Sequence, residues 1–330
     1  MKPRIMMISM KSNLRTMRYI GLLLMFIFCL TAQNMMAQRG KLFNSDNQLS
    51  SNFATQVFQD SNGFIWIATR NGLNIYDGYN FTTIRKTKED HRGLSSNYIN
   101  CITQDIQGHI LLGTNNSLLL YNGKSFANIP LLDSKNQPFS TYVTQVYRLK
   151  NNDIAVVTSG YGIMLKKENA EVCYAMKGEV ENLKFIHKIL EDKQDRLWII
   201  LENGKLYRAD KKGKLTKQIP GAETLEAKDI RQDNKGNIYL ATKNDGIYLL
   251  KAGSTIFTKI AGIGNLPIDN IYISRDQRLF IGCDGMGIFV YNPVTGFLQN
   301  NPLFSREVNL AKCKITSIIE DFTGNIWVSM

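Results

Sequence analysis

Histidine and cysteine are scarce in this chain, with three and five among 330 residues. Most catalytic and metal centres gather several such side chains at set spacings, so the scarcity argues against them. No GxSxG, HExxH or CxxC occurs. Long apolar runs are missing as well. Tyr19 to Leu30, interrupted only by Gly21, is short of the roughly 20 residues a membrane helix needs. After residue 40 no long stretch shows the 3.6-residue apolar period of an amphipathic helix, which excludes a helical bundle.

Acidic residues are absent from the first 37 positions, where Lys2, Arg4, Lys11, Arg15 and Arg18 precede the apolar run. Small residues follow at Thr31-Ala32-Gln33 and Met36-Ala37-Gln38. This pattern reads as a secretory signal peptide over residues 1–37, with an uncleaved anchor as the alternative. Cys29 suggests a lipoprotein, but Phe28 is too large for the usual lipobox. Removing the five basic residues of this leader leaves 35 basic against 28 acidic side chains, a net charge of +7. The excess is spread along the chain and densest at Lys211-Lys212-Gly213-Lys214, where a solvated hairpin tip is expected. A nucleic-acid partner is therefore rejected. Cys101, Cys173, Cys283 and Cys313 fit no metal knuckle, and in or beside apolar segments they read as small core residues. An oxidising compartment would also allow two disulfides, which sequence cannot pair.

What the chain does have is a repeat. Gln59-Asp60-Ser61-Asn62-Gly63-Phe64-Ile65-Trp66 returns as Glu320-Asp321-Phe322-Thr323-Gly324-Asn325-Ile326-Trp327. The equivalents of Trp66 are Leu111, Ala155, Trp198, Tyr239, Phe280 and Trp327, at spacings of 45, 44, 43, 41, 41 and 47 residues. Such a period of about 40–50 residues is that of four-stranded propeller blades. Nine residues before each ruler stands Val57, Ile102, Val146, Ile189, Ile230, Ile271 or Ile318, stiff β-branched side chains suited to a buried strand. Three residues earlier come Ala54, Ile99, Val143, Ile186, Ala227, Ile268 and Ile315. Two residues after the ruler the side chain is mostly small (Ala68, Gly113, Ala241, Gly282, Ser329), letting neighbouring sheets approach. Asp60, Asp105, Asp233 and Asp321, each with Gly three residues on, supply tight hairpin turns. Each unit reads as four strands joined by turns. The expected fold is all-β, a β-propeller of four-stranded blades, six complete blades plus a truncated seventh. Lys41-Leu42-Phe43-Asn44 reads as an outer strand of that seventh blade, whose third strand would follow Met330.

Leu49-Ser50-Ser51-Asn52, the Asp60-x-x-Gly63-x-Ile65-Trp66 phrase, and Gly72-Leu73-x-x-Tyr76-Asp77-Gly78-x-x-Phe81 together resemble the two-component-regulator propeller repeat. A second copy runs from Leu94-Ser95-Ser96-Asn97 to Tyr121-Asn122-Gly123-x-x-Phe126, and the resemblance covers residues 38–330. It implies the N-terminal periplasmic sensor of a Bacteroidetes hybrid two-component system. The parent so implied is a homodimeric histidine kinase in the inner membrane. A second propeller and the kinase domains would follow, and the system would respond to oligosaccharides. His91, His109 and His187 lack the surroundings of a phosphoacceptor, so the chain reads as a non-catalytic N-terminal piece of such a sensor. No cofactor and no metal is implied.

The recurring Asp residues could be read as catalytic carboxylates and Trp66, Trp198 and Trp327 as a sugar-stacking set. Their fixed place in each repeat favours a turn and core role. Ligand-binding residues should instead stand where the copies disagree, on the loops after each second strand and before each first strand. That selects Asn52, Arg70, Asn71, Asn97, Asn115, Tyr161, Glu202, Lys243, Asp245 and Asp284, with Asn116, Asn203 and Met286 beside them. Arg, Asn, Asp and Tyr can together bond sugar hydroxyls and carboxylates. Two other readings stay open: a dimerisation propeller without its own ligand site, and a periplasmic propeller lyase.

Overall fold

A computed structural model of the chain describes residues 40–46, 48–87, 93–210, 212–300, 310 and 313–330. The leader expected over residues 1–37 lies outside them. Residues 42–302 and 306–330 make one compact unit. Among the described residues 3-10 structure occurs at Glu179–Asn182 and at Leu310, and no helix is long and apolar enough to cross a membrane. The rest is a β-propeller of six blades, followed by a two-stranded sheet of the seventh repeat.

The inner strands are Ala54–Gln59, Ile99–Gln104, Val143–Arg148, Ile186–Glu191, Ala227–Gln232, Ile268–Ile273 and Ser317–Glu320. Six of them start at the apolar residue that the repeat count selected. Each second strand runs antiparallel to its inner strand, as in Phe58 opposite Trp66. Ile65–Thr69, Ile110–Thr114, Ile154–Thr158, Ile238–Thr242 and Leu279–Cys283 are buried at every residue. A sheet stacked between two others has no wet face, so these strands read as continuous apolar runs. The core is accordingly divided between blades. Trp66 packs with Leu112 and Leu119 of the next blade, and Trp198 with Ile238, Leu240 and Phe257 of its own next neighbour.

Glycine is required at two points where one sheet packs against the next. A Cβ on Gly113 would lie 2.3 Å from Cys101 Sγ and 2.6 Å from Val143 Cγ1 of the following blade. One on Gly282 would lie 2.8 Å from Ile315 Cγ2. Cys101, Cys173 and Cys283 are buried, and all four described cysteines are unpaired with one another.

Two belts of side-chain bonds lock the blades into a ring. Near the axis, the third residue of an inner strand reads the backbone of the next inner strand. Gln56 accepts from Ile102 N at 2.9 Å and donates to its carbonyl at 3.3 Å. Gln145 does the same to Ile189 at 2.8 and 3.3 Å. Ser317 closes the circle by accepting from Val57 N at 3.5 Å. At the hairpin-turn end, Gln104, Glu191, Gln232 and Glu320 accept the turn N–H of Ser61, Lys150, Lys193 and Arg275 in the preceding blade at 2.7–2.8 Å. Gln59 takes Phe322 N at 2.7 Å, again joining seventh repeat to first. Closure of this kind leaves no exposed edge between consecutive inner strands.

Two elements differ from the sequence reading. Residues 41–44 lie outside the strands. Phe43 stacks on Trp327 at 5.9 Å and meets Phe81 at 4.9 Å. The third blade has six strands rather than four. The connection from the second blade adds Leu131–Leu132, parallel to the blade's fourth strand Cys173–Ala175, and Pro138–Phe139 outside it.

Candidate ligand-binding mouth of the propeller

The repeated Asp, Gly and Trp lie at the hairpin-turn end and hold the frame. Asp60 Oδ1 accepts Asn62 N and Phe64 N at 2.9 and 3.0 Å, while Oδ2 accepts the Trp66 indole N–H at 2.8 Å. Asp192 and Asp321 hold Trp198 and Trp327 in the same way at 2.7 and 2.8 Å. Where Leu111 replaces the indole, Asp105 Oδ2 meets His109 Nδ1 at 3.0 Å instead. Burial raises the Asp321 carboxyl, but hydrogen bonds from Thr323, Trp327 and Asn325 outweigh it and bring the pKa down to about 2. These carboxylates are fully engaged in turn and indole bonds, which is a structural and not a catalytic arrangement.

The opposite end is the mouth of the central channel. Here, in five of the six blades, the residue before the inner strand is bonded to the residue after the second strand of the same blade. Arg70 N donates to Phe53 O at 3.1 Å, Ser159 N to Tyr142 O, Glu202 N to Phe185 O and Lys243 N to Glu226 O at 2.9 Å, and Asp284 N to Pro267 O at 3.3 Å. The backbone bond therefore recurs in these five blades, and the side chains are free to differ. Four consecutive blades present an aromatic ring: Phe53, Tyr98, Tyr142 and Phe185. Phe53, Tyr142 and Phe185 are 62%, 39% and 58% exposed. The Arg70 guanidinium lies 5.3 Å from the Phe53 ring and 5.7 Å from Tyr98, and Tyr98 meets Tyr142 edge-on at 6.3 Å. Desolvation, reinforced by the Tyr98 hydroxyl, raises the Tyr142 pKa to about 12, so it stays a neutral donor. Ser159, bonded to Tyr142, bridges to Phe185. The remaining blades present Glu226, Pro267 and Lys314 in the same place.

The residues selected from sequence divide into two groups. Arg70 belongs to the aromatic arc. Asn115, Glu202, Lys243 and Asp284 occupy the equivalent mouth position in other blades, Lys243 paired with Glu226 at 3.2 Å and Glu202 taking Ser159 Oγ at 3.4 Å. Asn115 Oδ1 accepts Ser96 Oγ at 2.8 Å. Tyr161, 47% exposed, stacks on Phe139 of the added third-blade hairpin at 4.1 Å. The others are tied into loops. Asn52 Oδ1 accepts Ser45 N at 2.7 Å, Asn97 Oδ1 accepts Lys86 N at 2.6 Å, and the Asn71 carbonyl accepts Arg85 Nε at 3.2 Å. Asp245 pairs with Lys259 and takes the Tyr248 hydroxyl at 2.6 Å. Those bonds, Lys259 first, lower its pKa. The aromatic arc itself went unread, although its register was legible as the residue just before Ala54, Ile99, Val143 and Ile186.

The two component regulator propeller family matches residues 48–71 and 93–116, the first strands and turns of the first two blades. A curated histidine kinase of Formosa agariphila is 35% identical over 78 residues, covering 22% of this chain and 6% of that protein. Among solved structures, the extracellular domains of two hybrid two-component systems of B. thetaiotaomicron superpose with TM-scores of 0.71 and 0.67. They are 23% and 17% identical, over 88% and 83% of this chain and 40% and 39% of theirs. The chain thus spans less than half the length of these structural neighbours and a small part of the kinase. The first two blades thus carry the two component regulator propeller repeat, and the chain shares its propeller fold with these extracellular domains.

Proposed function

We propose that this chain is an exported, periplasmic sensor propeller of a hybrid histidine kinase, and that an oligosaccharide docks on the aromatic arc at the channel mouth. The observation that carries the reading is the run of Phe53, Tyr98, Tyr142 and Phe185 at one position of four consecutive blades, with three rings in solvent. Exposed aromatics cost apolar hydration, and a contiguous set of them marks a contact surface. Flat rings pack on the C–H faces of pyranoses and lose little rotamer entropy on binding. Arg70, Asn115 and Glu202 surround them with hydrogen-bonding groups that can fix orientation. The kinase and receiver parts of the phosphorelay, and its dimeric state, belong to the longer protein of this reading.

Calorimetry of the full chain against a panel of plant and host oligosaccharides tests it. Binding that weakens at least tenfold in F53A/Y142A supports the reading, with unchanged melting as the folding control. Absence of binding across the panel, or binding indifferent to those rings, sinks it.

A further inference from the structure

The channel below the mouth is lined by one residue from each repeat, and those residues fall into two classes. In each of the six blades the register slips at the second residue of the inner strand, between Ala54 and Gln56 in the first blade and at the same place in the others. A bulge re-aims a side chain and recurs beside functional sites. The residues so placed are Thr55, Asn100, Thr144, His187, Lys228 and Asp269, with Thr316 equivalent in the seventh repeat. The neutral ones each donate to the neighbouring blade, although Asn100 Oδ1 is buried without a hydrogen-bond partner. Thr55 Oγ1 donates to Ile99 O at 2.6 Å, Asn100 Nδ2 to Val143 O at 3.0 Å, Thr144 Oγ1 to Ile186 O at 3.3 Å and Thr316 Oγ1 to Ala54 O at 2.7 Å.

The ionisable ones follow another rule. Lys228 donates no hydrogen bond from its ammonium among the described residues, although it is half-buried. Asp269 Oδ2 is buried and has no hydrogen-bond partner; its nearest cation, Lys314 Nζ, is 3.9 Å away. A buried polar atom left unpaired is costly and calls for a partner. The charges behind them are already spent. Asp229 is fully buried between Lys188 Nζ at 2.6 Å and Arg231 at 3.5 Å, and it accepts Ile271 N at 3.0 Å. That trio ties three blades together and leaves one net positive charge next to Lys228. Lys228 and Asp269 hold the same bulged register position on neighbouring inner strands, and burial raises the Asp269 pKa, against Lys314 and Lys228 and with Asp284. An ammonium without a hydrogen bond and a carboxylate held by one long ion pair, on adjacent blades, call for an acceptor and a donor from the same molecule.

Resting on the saccharide reading above, we propose that blades four to six form a subsite for an acidic sugar residue. Lys228 takes the carboxylate, and Asp269 accepts a neighbouring hydroxyl. Neutral rings of the same oligosaccharide would lie on the aromatic arc.

The test is calorimetry of the full chain with glucuronyl and galacturonyl disaccharides and their methyl esters, which keep every hydroxyl and lose the charge. At least one free acid should bind ten times or more tighter than its ester, and added salt should shrink that margin. K228Q should abolish the margin while leaving melting unchanged. D269N should weaken acid and ester alike. Equal affinity of acid and ester, or a margin that survives K228Q, overturns the subsite. If neutral sugars bind in an F53A-sensitive way without any gain from the acid, only this inference fails. If nothing in either set binds, the saccharide reading fails with it.

Discussion

At the hairpin-turn end, Asp60, Asp192 and Asp321 make the same turn and indole bonds in three blades. At the channel mouth, one backbone position carries Phe53, Tyr98, Tyr142, Phe185, Glu226, Pro267 and Lys314 in succession. The backbone bonds recur at both ends, so the difference lies in what the side chains must do. A turn carboxylate closes backbone N–H groups and a buried indole, and few other side chains can replace it. A mouth side chain leaves the sheet after its backbone is satisfied, so its identity is open to ligand chemistry. Repetition marks the frame, and departure from repetition marks the surface that can recognise something.

That contrast can be broken by mutation. The largest effect is expected at Asp192, which accepts from Gln194 N, Arg196 N, Arg196 Nε and the fully buried Trp198 indole. D192A should cost roughly 3–5 kcal/mol, because it strands a buried donor and a paired guanidinium. Urea unfolding measures it, and a loss under about 1 kcal/mol would deny the frame role. G113A comes next, at about 1–3 kcal/mol, from forcing a methyl group into Cys101 and Val143. Wild-type stability with the same midpoint would show that the blades have slack.

The pH response is smaller and has a definite sign. The folded Asp321 pKa of about 2 lies below its ordinary 3.8. Its contribution is therefore full above about pH 4 and is lost as the pH falls toward 2. Melting curves between pH 5 and 2 should show a shallower decline in D321N than in the wild type; parallel declines would remove the assignment. The smallest effect on stability is expected at the mouth. F53A, Y142A and F185A should each stay within about 0.5 kcal/mol. A loss above 2 kcal/mol at any of them would mean the arc is structural and erase the distinction between the two ends.

Much of the frame was legible before the fold was known. Counting from Trp66 located the starts of six inner strands, and at two of the small residues two positions on, Gly113 and Gly282, the next blade leaves no room for a side chain. Turn chemistry at Asp and Gly is local and needs only four residues to be read. The extra strands Leu131–Leu132 and Pro138–Phe139 were missed because two-residue pairings carry no periodicity. Of the candidate binding residues, loop position was readable but availability was not. Asn97 and Asp245 look like Arg70 and Glu202 in sequence, yet their side chains are bonded to Lys86 and Lys259, which lie more than ten positions away.

By itself the sequence determined the number of blades, the register of their strands and the residues that build each turn. Those features arise from pairing between strands that are neighbours in the chain, so each repeat spells them out. Only the tertiary structure decided that Phe53, Tyr98, Tyr142 and Phe185 stand at one mouth position, and that Lys188 and Arg231 share Asp229 while the Lys228 ammonium has no hydrogen bond. Consecutive blades bring together residues some 40 positions apart. Nothing in the local pattern constrains what one blade presents to the next across the channel.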